Sequence, residues 1–219
     1  MIRPLVLVVC LAWAAIAGPL AVVVRTEGSV TLTTAKGEKS PKAGDLVLSS
    51  WKIATGRDGR VRLRLLADKT LVDLKPSSAM ELEVLERADR TLRRALLLSG
   101  DAACTLSADA GDFRAETRTA IASGSLAQFD ISTGLEGGTK IQVADGTVSI
   151  CDPSTGDHVV AGAGTTTTSS WDGLAQPVAS SPVGAVASQG DSTFSVEVRL
   201  VDPASGSSSR LLYGLGSER

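Results

Sequence analysis

Aromatic side chains are nearly absent from this sequence: among 219 residues there are three Phe, three Trp and one Tyr. Surfaces that stack nucleobases are built on several aromatic platforms. Glycan-binding faces usually are too, so neither ligand class is expected. Histidine occurs once, as His158, and the few cysteines lack the close Cys-x-x-Cys or His pairing that a zinc site uses. Charge of one sign is not concentrated anywhere. With 22 basic and 24 acidic residues the formal net charge is −2, which offers no electrostatic reason for DNA, RNA or an anionic membrane surface as partner. No Gly-x-Ser-x-Gly elbow and no phosphate-cradling loop is present. The Asp152–Asp157 stretch has too few ligands for a calcium loop. Glu81, Glu83 and Asp73 lie on strand-like segments with no evident cleft. The expectation is a protein without catalysis and without a cofactor.

What is present begins with an export signal over residues 1–17. Arg3 gives a charged start, an apolar run of about a dozen residues follows, and Ala15-Ile16-Ala17 puts small residues where a signal peptidase reads them. The run is shorter than the ~20 residues of a spanning helix, so no membrane span is expected after cleavage. Val8-Val9-Cys10 lacks the small residue that precedes a lipoprotein cysteine. Cleavage after Ala17 removes Arg3 and leaves the mature chain near −3. It also removes Cys10, leaving Cys104 and Cys151. Two readings of these stay open. They pair as a disulfide, worth roughly 4 kcal/mol in the chain-entropy account, or each is a small buried apolar residue on its own strand.

The mature chain reads as all-β. Arg60-Val61-Arg62-Leu63-Arg64-Leu65 alternates strictly after an Asp58-Gly59 turn, the pattern of a half-buried antiparallel strand with a solvated cationic face. Similar runs recur at 28–33, 70–74, 80–84, 113–117, 128–131, 139–143 and 147–150, separated by turn residues. That spacing predicts an antiparallel multi-stranded sandwich or a β-solenoid-like module. Residues 81–98 carry Leu82, Leu85, Leu92 and Leu96 at near-helical spacing. However, Met80, Leu82 and Val84 alternate cleanly with Glu81 and Glu83. A hairpin with its turn near Arg87–Arg90 is the reading adopted.

Four segments result: the signal at 1–17, an all-β domain at 18–163, a Ser/Thr/Ala/Gly-rich linker at 164–190 and a C-terminal β-hairpin segment at 191–219. The linker begins with four Thr and two Ser and continues poor in residues able to build a core. In the hairpin, Phe194, Val196, Val198 and Tyr213 are the candidate partner-binding residues, since an isolated hairpin is marginal in water and needs something to pair with.

The order of strands and turns resembles the periplasmic domain of the FecR family. Gly44, Leu46 and Ile53-Ala54-Thr55-Gly56 are similar to its G-x-x-L … I-x-T-G opening. Leu66-Ala67-Asp68-Lys69-Thr70-Leu71-Val72-Asp73-Leu74 resembles its L-x-D-G-T-x-V-x-L turn, with Lys69 in place of Gly. Pro76-Ser77-Ser78, the 96–102 strand with Asp101, and Phe113 through Gly124-Ser125 to Phe129-Asp130-Ile131 follow in the family's order. Ile141 to Ile150 and Val160-Ala161-Gly162 close the set. Together they span roughly residues 24–163. The resemblance implies an all-β periplasmic module that senses or binds another envelope protein. The anti-sigma helix bundle, membrane span and receptor-contacting subdomain of well-known members have no counterpart here, so direct sigma-factor control is not implied. The expected role is a non-catalytic interaction or sensing module of envelope signalling or assembly, exported and most simply periplasmic, with cell surface or secretion as alternatives. The rival is a self-assembling structural envelope protein, which makes a homo-oligomer.

Overall fold

The computed structural model describes residues 18–134 and 136–180 with their side chains, and residues 194–201 and 208–215 as backbone. The segment 1–17, read above as an export signal, lies outside the described residues, as does 181–193.

The chain folds as β1 (Pro19–Glu27), β2 (Val30–Thr34), β3 (Gly37–Lys39), β4 (Leu46–Leu48), β5 (Trp51–Thr55), β6 (Arg60–Leu65), β7 (Leu71–Leu74) and β8 (Ala79–Glu86). Three long strands, β9 (Thr91–Thr105), β11 (Ile121–Thr133) and β12 (Thr139–Cys151), then follow together with the short β10 (Phe113–Glu116) and β13 (His158–Gly162). β14 (Thr165–Ser170), β15 (Gly173–Leu174) and β16 (Val178–Ala179) complete a 16-stranded sheet. A separate pair, β17 (Phe194–Val201) and β18 (Ser208–Leu215), forms an antiparallel ribbon in a second compact unit.

The large sheet is two half-sheets sharing three strands. One half runs β4, β1, β6, β7, then the C-terminal parts of β9 and β11, the N-terminal part of β12, and β14 with β15 and β16. The other runs β3, β2, β5, β8, then the N-terminal part of β9, β10, the N-terminal part of β11, the C-terminal part of β12, and β13. Period-two alternation turns each half into rows. In the first, Leu63, Val72, Cys104, Phe129 and Val143 are neighbours across five strands, and all are buried. In the second, Leu82, Ala95, Ala115, Ala122, Ile150 and Val159 form the equivalent buried row. Both rows belong to one hydrophobic cluster, so the halves share a single core.

Strands that serve two half-sheets must bend, and the bends sit at unusual backbone. Gly100 interrupts β9 at φ +84°, where a Cβ would stand 2.7 Å from Ser78 Cα. Gly146 interrupts β12 at φ +75°, and a Cβ there would lie 2.9 Å from Ala127 Cα. Only glycine fits either place at little cost. β11 bends opposite, where its register with β12 shifts between Ser125 and Gln128 and Leu126 adopts φ +49°.

The strand runs read from the alternation fall on strands, and residues 81–98 are a hairpin. Arg87 N–H donates to Arg90 O at 2.9 Å in its turn. Two differences stand out. First, the sheet is mixed, because β10 lies parallel to β9, with Phe113 beside Arg93 and Glu116 beside Leu96. A parallel neighbour needs a crossover of a dozen or more residues. Here the crossover is the C-terminal part of β9 itself, plus a return through the 3-10 turn Ala110–Asp112. One strand therefore crosses to the other half-sheet and comes back beside itself, a single coil of solenoid character. Second, the expected linker at 164–190 is not one throughout. Residues 165–170 form β14 against β12, and Val178–Ala179 pairs with Thr165 and Thr166. Thr167 and Ser169 are buried while Thr168 and Ser170 are exposed. A hydroxyl bond from Ser169 to the Thr119 carbonyl offsets the cost of burying a polar side chain there.

Candidate functional site

Among the described residues no group of three His, Cys, Asp or Glu is placed to hold a metal ion.

The outward face of the first half-sheet carries a groove of about 300 Å³ lined by Arg25, Glu27, Arg60, Arg62, Asp73 and Lys75. The alternation of β6 puts Arg60, Arg62 and Arg64 on this side, as its sequence predicts. Three cations on this face are ion-paired. Arg62 Nε donates to Asp73 Oδ1 at 2.6 Å, Lys75 Nζ to Asp130 Oδ1 at 2.7 Å, and Arg25 pairs with Glu27. Such exposed pairs add little stability, and of the three β6 cations Arg62 alone is ion-paired among the described residues.

Deeper ion pairs are structural. Asp68 is the turn residue between β6 and β7, and its side chain is almost wholly buried. Oδ1 accepts the Thr70 N–H at 2.9 Å and Oδ2 accepts Arg93 Nε at 2.9 Å. Lys69 beside it takes φ +62°, at the place where the resembling motif has glycine. The Asp68–Arg93 pair thus pins a hairpin of one half-sheet to β9 in its other half. Arg94 lies between Glu83 and Glu116, 3.2 Å from the latter.

The remaining sequence candidates are scattered. Cys104 and Cys151 are both free, which corrects the disulfide alternative. Cys104 stands opposite Phe129 and Cys151 opposite Ile121, eight positions apart on β11, whereas a disulfide needs Cα atoms within about 7 Å. Burial pushes the Cys104 thiol up to about 12, with the Asp130 and Asp73 carboxylates adding to the effect. Cys151 is half-buried at the end of β12, and His158 is its cross-strand neighbour on β13. The Asp152 carboxylate closes the intervening turn. Oδ1 accepts the Ser154 O–H at 2.6 Å and N–H at 2.7 Å, which holds the acid below the usual carboxylate range. In the ribbon, the register sets Phe194 against Leu215, Val196 against Tyr213 and Val198 against Leu211. The four candidate binding residues therefore share one face of the ribbon.

A further feature was not legible in the sequence: a cluster of buried hydroxyls. Thr119 Oγ1 donates to Gly137 O at 3.0 Å and lies 2.8 Å from Thr139 Oγ1, which lies 2.6 Å from Thr117 Oγ1. Ser169 Oγ donates to Thr119 O at 2.6 Å. Next to it Trp171 is two-thirds exposed, its indole N–H donating to Glu136 O at 3.1 Å. Among the described residues, the strands of the large sheet open along one side are β3, β4, β13 and the short β15 and β16, and each strand of the β17–β18 ribbon is paired on one side only.

Among known proteins, no family model matches this chain, and no curated protein matches it. Two crystal structures from Parabacteroides distasonis ATCC 8503, each described as a "putative anti-sigma factor", are similar to it at 20% and 18% identity, with TM-scores of 0.47 and 0.46. Each match covers 56% of this chain and 56% of the other, so the chain spans about half the length of those structures. A likeness of that size says nothing of function.

Proposed function

We propose that this chain is an exported, non-catalytic FecR-like module that binds or senses another protein of the bacterial envelope and works in signalling or assembly there. The observation that carries the reading is the placement of the FecR-like motifs. They run in family order along successive strands and turns from β4 to β13. Their special residues fall where the backbone has special needs: Asp68 and Lys69 at the β6–β7 turn, and Gly100 and Gly124-Ser125 at or beside the bends. The signal-like segment at 1–17 supports export, and the periplasm is the compartment the resemblance implies.

The C-terminal ribbon is the part proposed to meet the partner, through the face bearing Phe194, Val196, Val198 and Tyr213. A lone two-stranded ribbon is marginal in water, and an extended strand with alternating apolar positions suits strand addition to another protein.

The test is affinity recovery of the C-terminally tagged protein from cross-linked intact cells, read by mass spectrometry, beside a form lacking residues 194–219 that carries the same tag. The expected result is reproducible recovery of an outer-membrane receptor, a membrane-spanning regulator or an assembly machine, lost on deletion. Recovery of the protein with only itself would overturn the signalling reading in favour of the structural one. An unchanged partner after deletion would remove the ribbon from the role.

A further inference from the structure

We propose that β13 is a homotypic pairing edge: two copies of this chain join β13 to β13, antiparallel, about a two-fold axis at Val160. The inference is independent of any place in signalling and rests on the edge itself.

Among the described residues β13 is bonded on one side only, to β12. Its hairpin closes with Asp152 N–H donating to Asp157 O at 2.8 Å. In an antiparallel ladder, bonded and non-bonded pairs alternate. Val159 and Ala161 therefore face β12 with their backbone groups, and His158, Val160 and Gly162 turn theirs outward. Gly162 O is taken by Thr165 Oγ1 at 2.7 Å. His158 and Val160 are left presenting both an N–H and a C=O to whatever lies alongside.

Within the 16-stranded sheet, the other open edges among the described residues are blunted in ways that discourage strand pairing. β3 is three residues long and carries Glu38 and Lys39. β4 is three residues long and follows Pro41, Lys42 and Asp45. β15 and β16 have two residues each. β13, His-Val-Val-Ala-Gly, has five residues and neither lysine nor proline. Its outward side chain, Val160, is 61% exposed. The neighbouring surface leaves that valine bare because it is a shallow trough of about 410 Å³ floored by small groups: Gly111, Ser123, Gly124, Ser125, Thr147 and Ser149.

A second copy fits this edge on its own terms. With Val160 facing Val160, each donates to and accepts from the other, and two exposed valines cover one another. His158 then falls opposite Gly162 of the second copy. No like charges meet across the axis, although the chain as a whole is acidic. Five residues bury far less than the ~1,200–2,000 Å² of a standard stable interface. The pairing is accordingly weak, and becomes appreciable only where the protein is concentrated or tethered.

The experiment is sedimentation equilibrium of the mature chain, residues 18–219, over a wide concentration range, with two variants at the axis. Val160→Lys places two cations face to face, and Val160→Pro removes the outward N–H without touching the β12 ladder. The expected result is a reversible dimer whose dissociation constant rises roughly tenfold or more in both variants, with thermal unfolding of each variant unchanged. Val178→Lys, at a different edge, should leave the dimer intact. A mature chain that stays monomeric at every concentration overturns the proposal, as does a dimer indifferent to both Val160 variants. A chain that never self-associates but loses its envelope partner through Val160→Lys would also overturn it, assigning the edge to a foreign strand.

Discussion

β6 and β14 are both six-residue strands of one half-sheet with alternating burial, yet different forces hold them. β6 buries Val61, Leu63 and Leu65, each adding about 1.5–3 kcal/mol of apolar transfer. β14 buries Thr167 and Ser169, whose hydroxyls cost free energy inside unless they are bonded. Ser169 meets that requirement through Thr119 O, and Thr119 and Thr139 extend the network. Thr167 does not, since its Oγ1 is buried without a partner. An apolar strand is held by area, and many registers would satisfy it. A hydroxyl strand is held by position. In a run of Thr and Ser, a slip of two residues changes no chemistry on either face, so the bonds of Ser169 and Thr165 must fix the register.

The comparison can be broken at both ends. Leu63→Ala, which opens a cavity in the apolar row, should lower the unfolding free energy by about 2–5 kcal/mol in urea titration. Ser169→Ala removes one hydroxyl and strands its acceptor. A loss of about 1–3 kcal/mol is expected, and a neutral result would mean that packing alone places β14. Thr167→Val swaps the unpartnered hydroxyl for a methyl next to Ile141, extending the apolar row through Ile131. It should stabilise by about 1 kcal/mol, and a destabilisation would show that the hydroxyl is used. Thr168→Ala, on the exposed side of the same strand, should change the unfolding free energy by no more than ~0.5 kcal/mol.

These two strands also show why part of the fold was legible and part was not. In β6 the side-chain chemistry alternates with burial, so period two can be seen directly. The same contrast resolves residues 81–98, where Glu81 and Glu83 between Met80, Leu82 and Val84 outweigh the helical spacing of the leucines. In β14 the residue type is constant while the burial alternates, so no hydropathy pattern exists to read. β1 was hidden for the opposite reason: Leu20 to Val24 is apolar without interruption and comes soon after the apolar segment read as an export signal. The parallel placement of β10 depends on the bend at Gly100, and a glycine between strand-like runs reads as an ordinary turn. The surfaces were less legible still. An edge is defined by the strand that is missing beside it, and His-Val-Val-Ala-Gly would look the same in the middle of a sheet.

The sharing of β9, β11 and β12 between both half-sheets also governs how the module opens. Neither half can detach without tearing strands from the other, so the domain has no seam along which to come apart. Amide hydrogens at the N-terminal and C-terminal ends of these three strands should therefore exchange through one common opening event, with protection close to the global value at both ends. A partner that loads one half-sheet would act on the stability of the whole module.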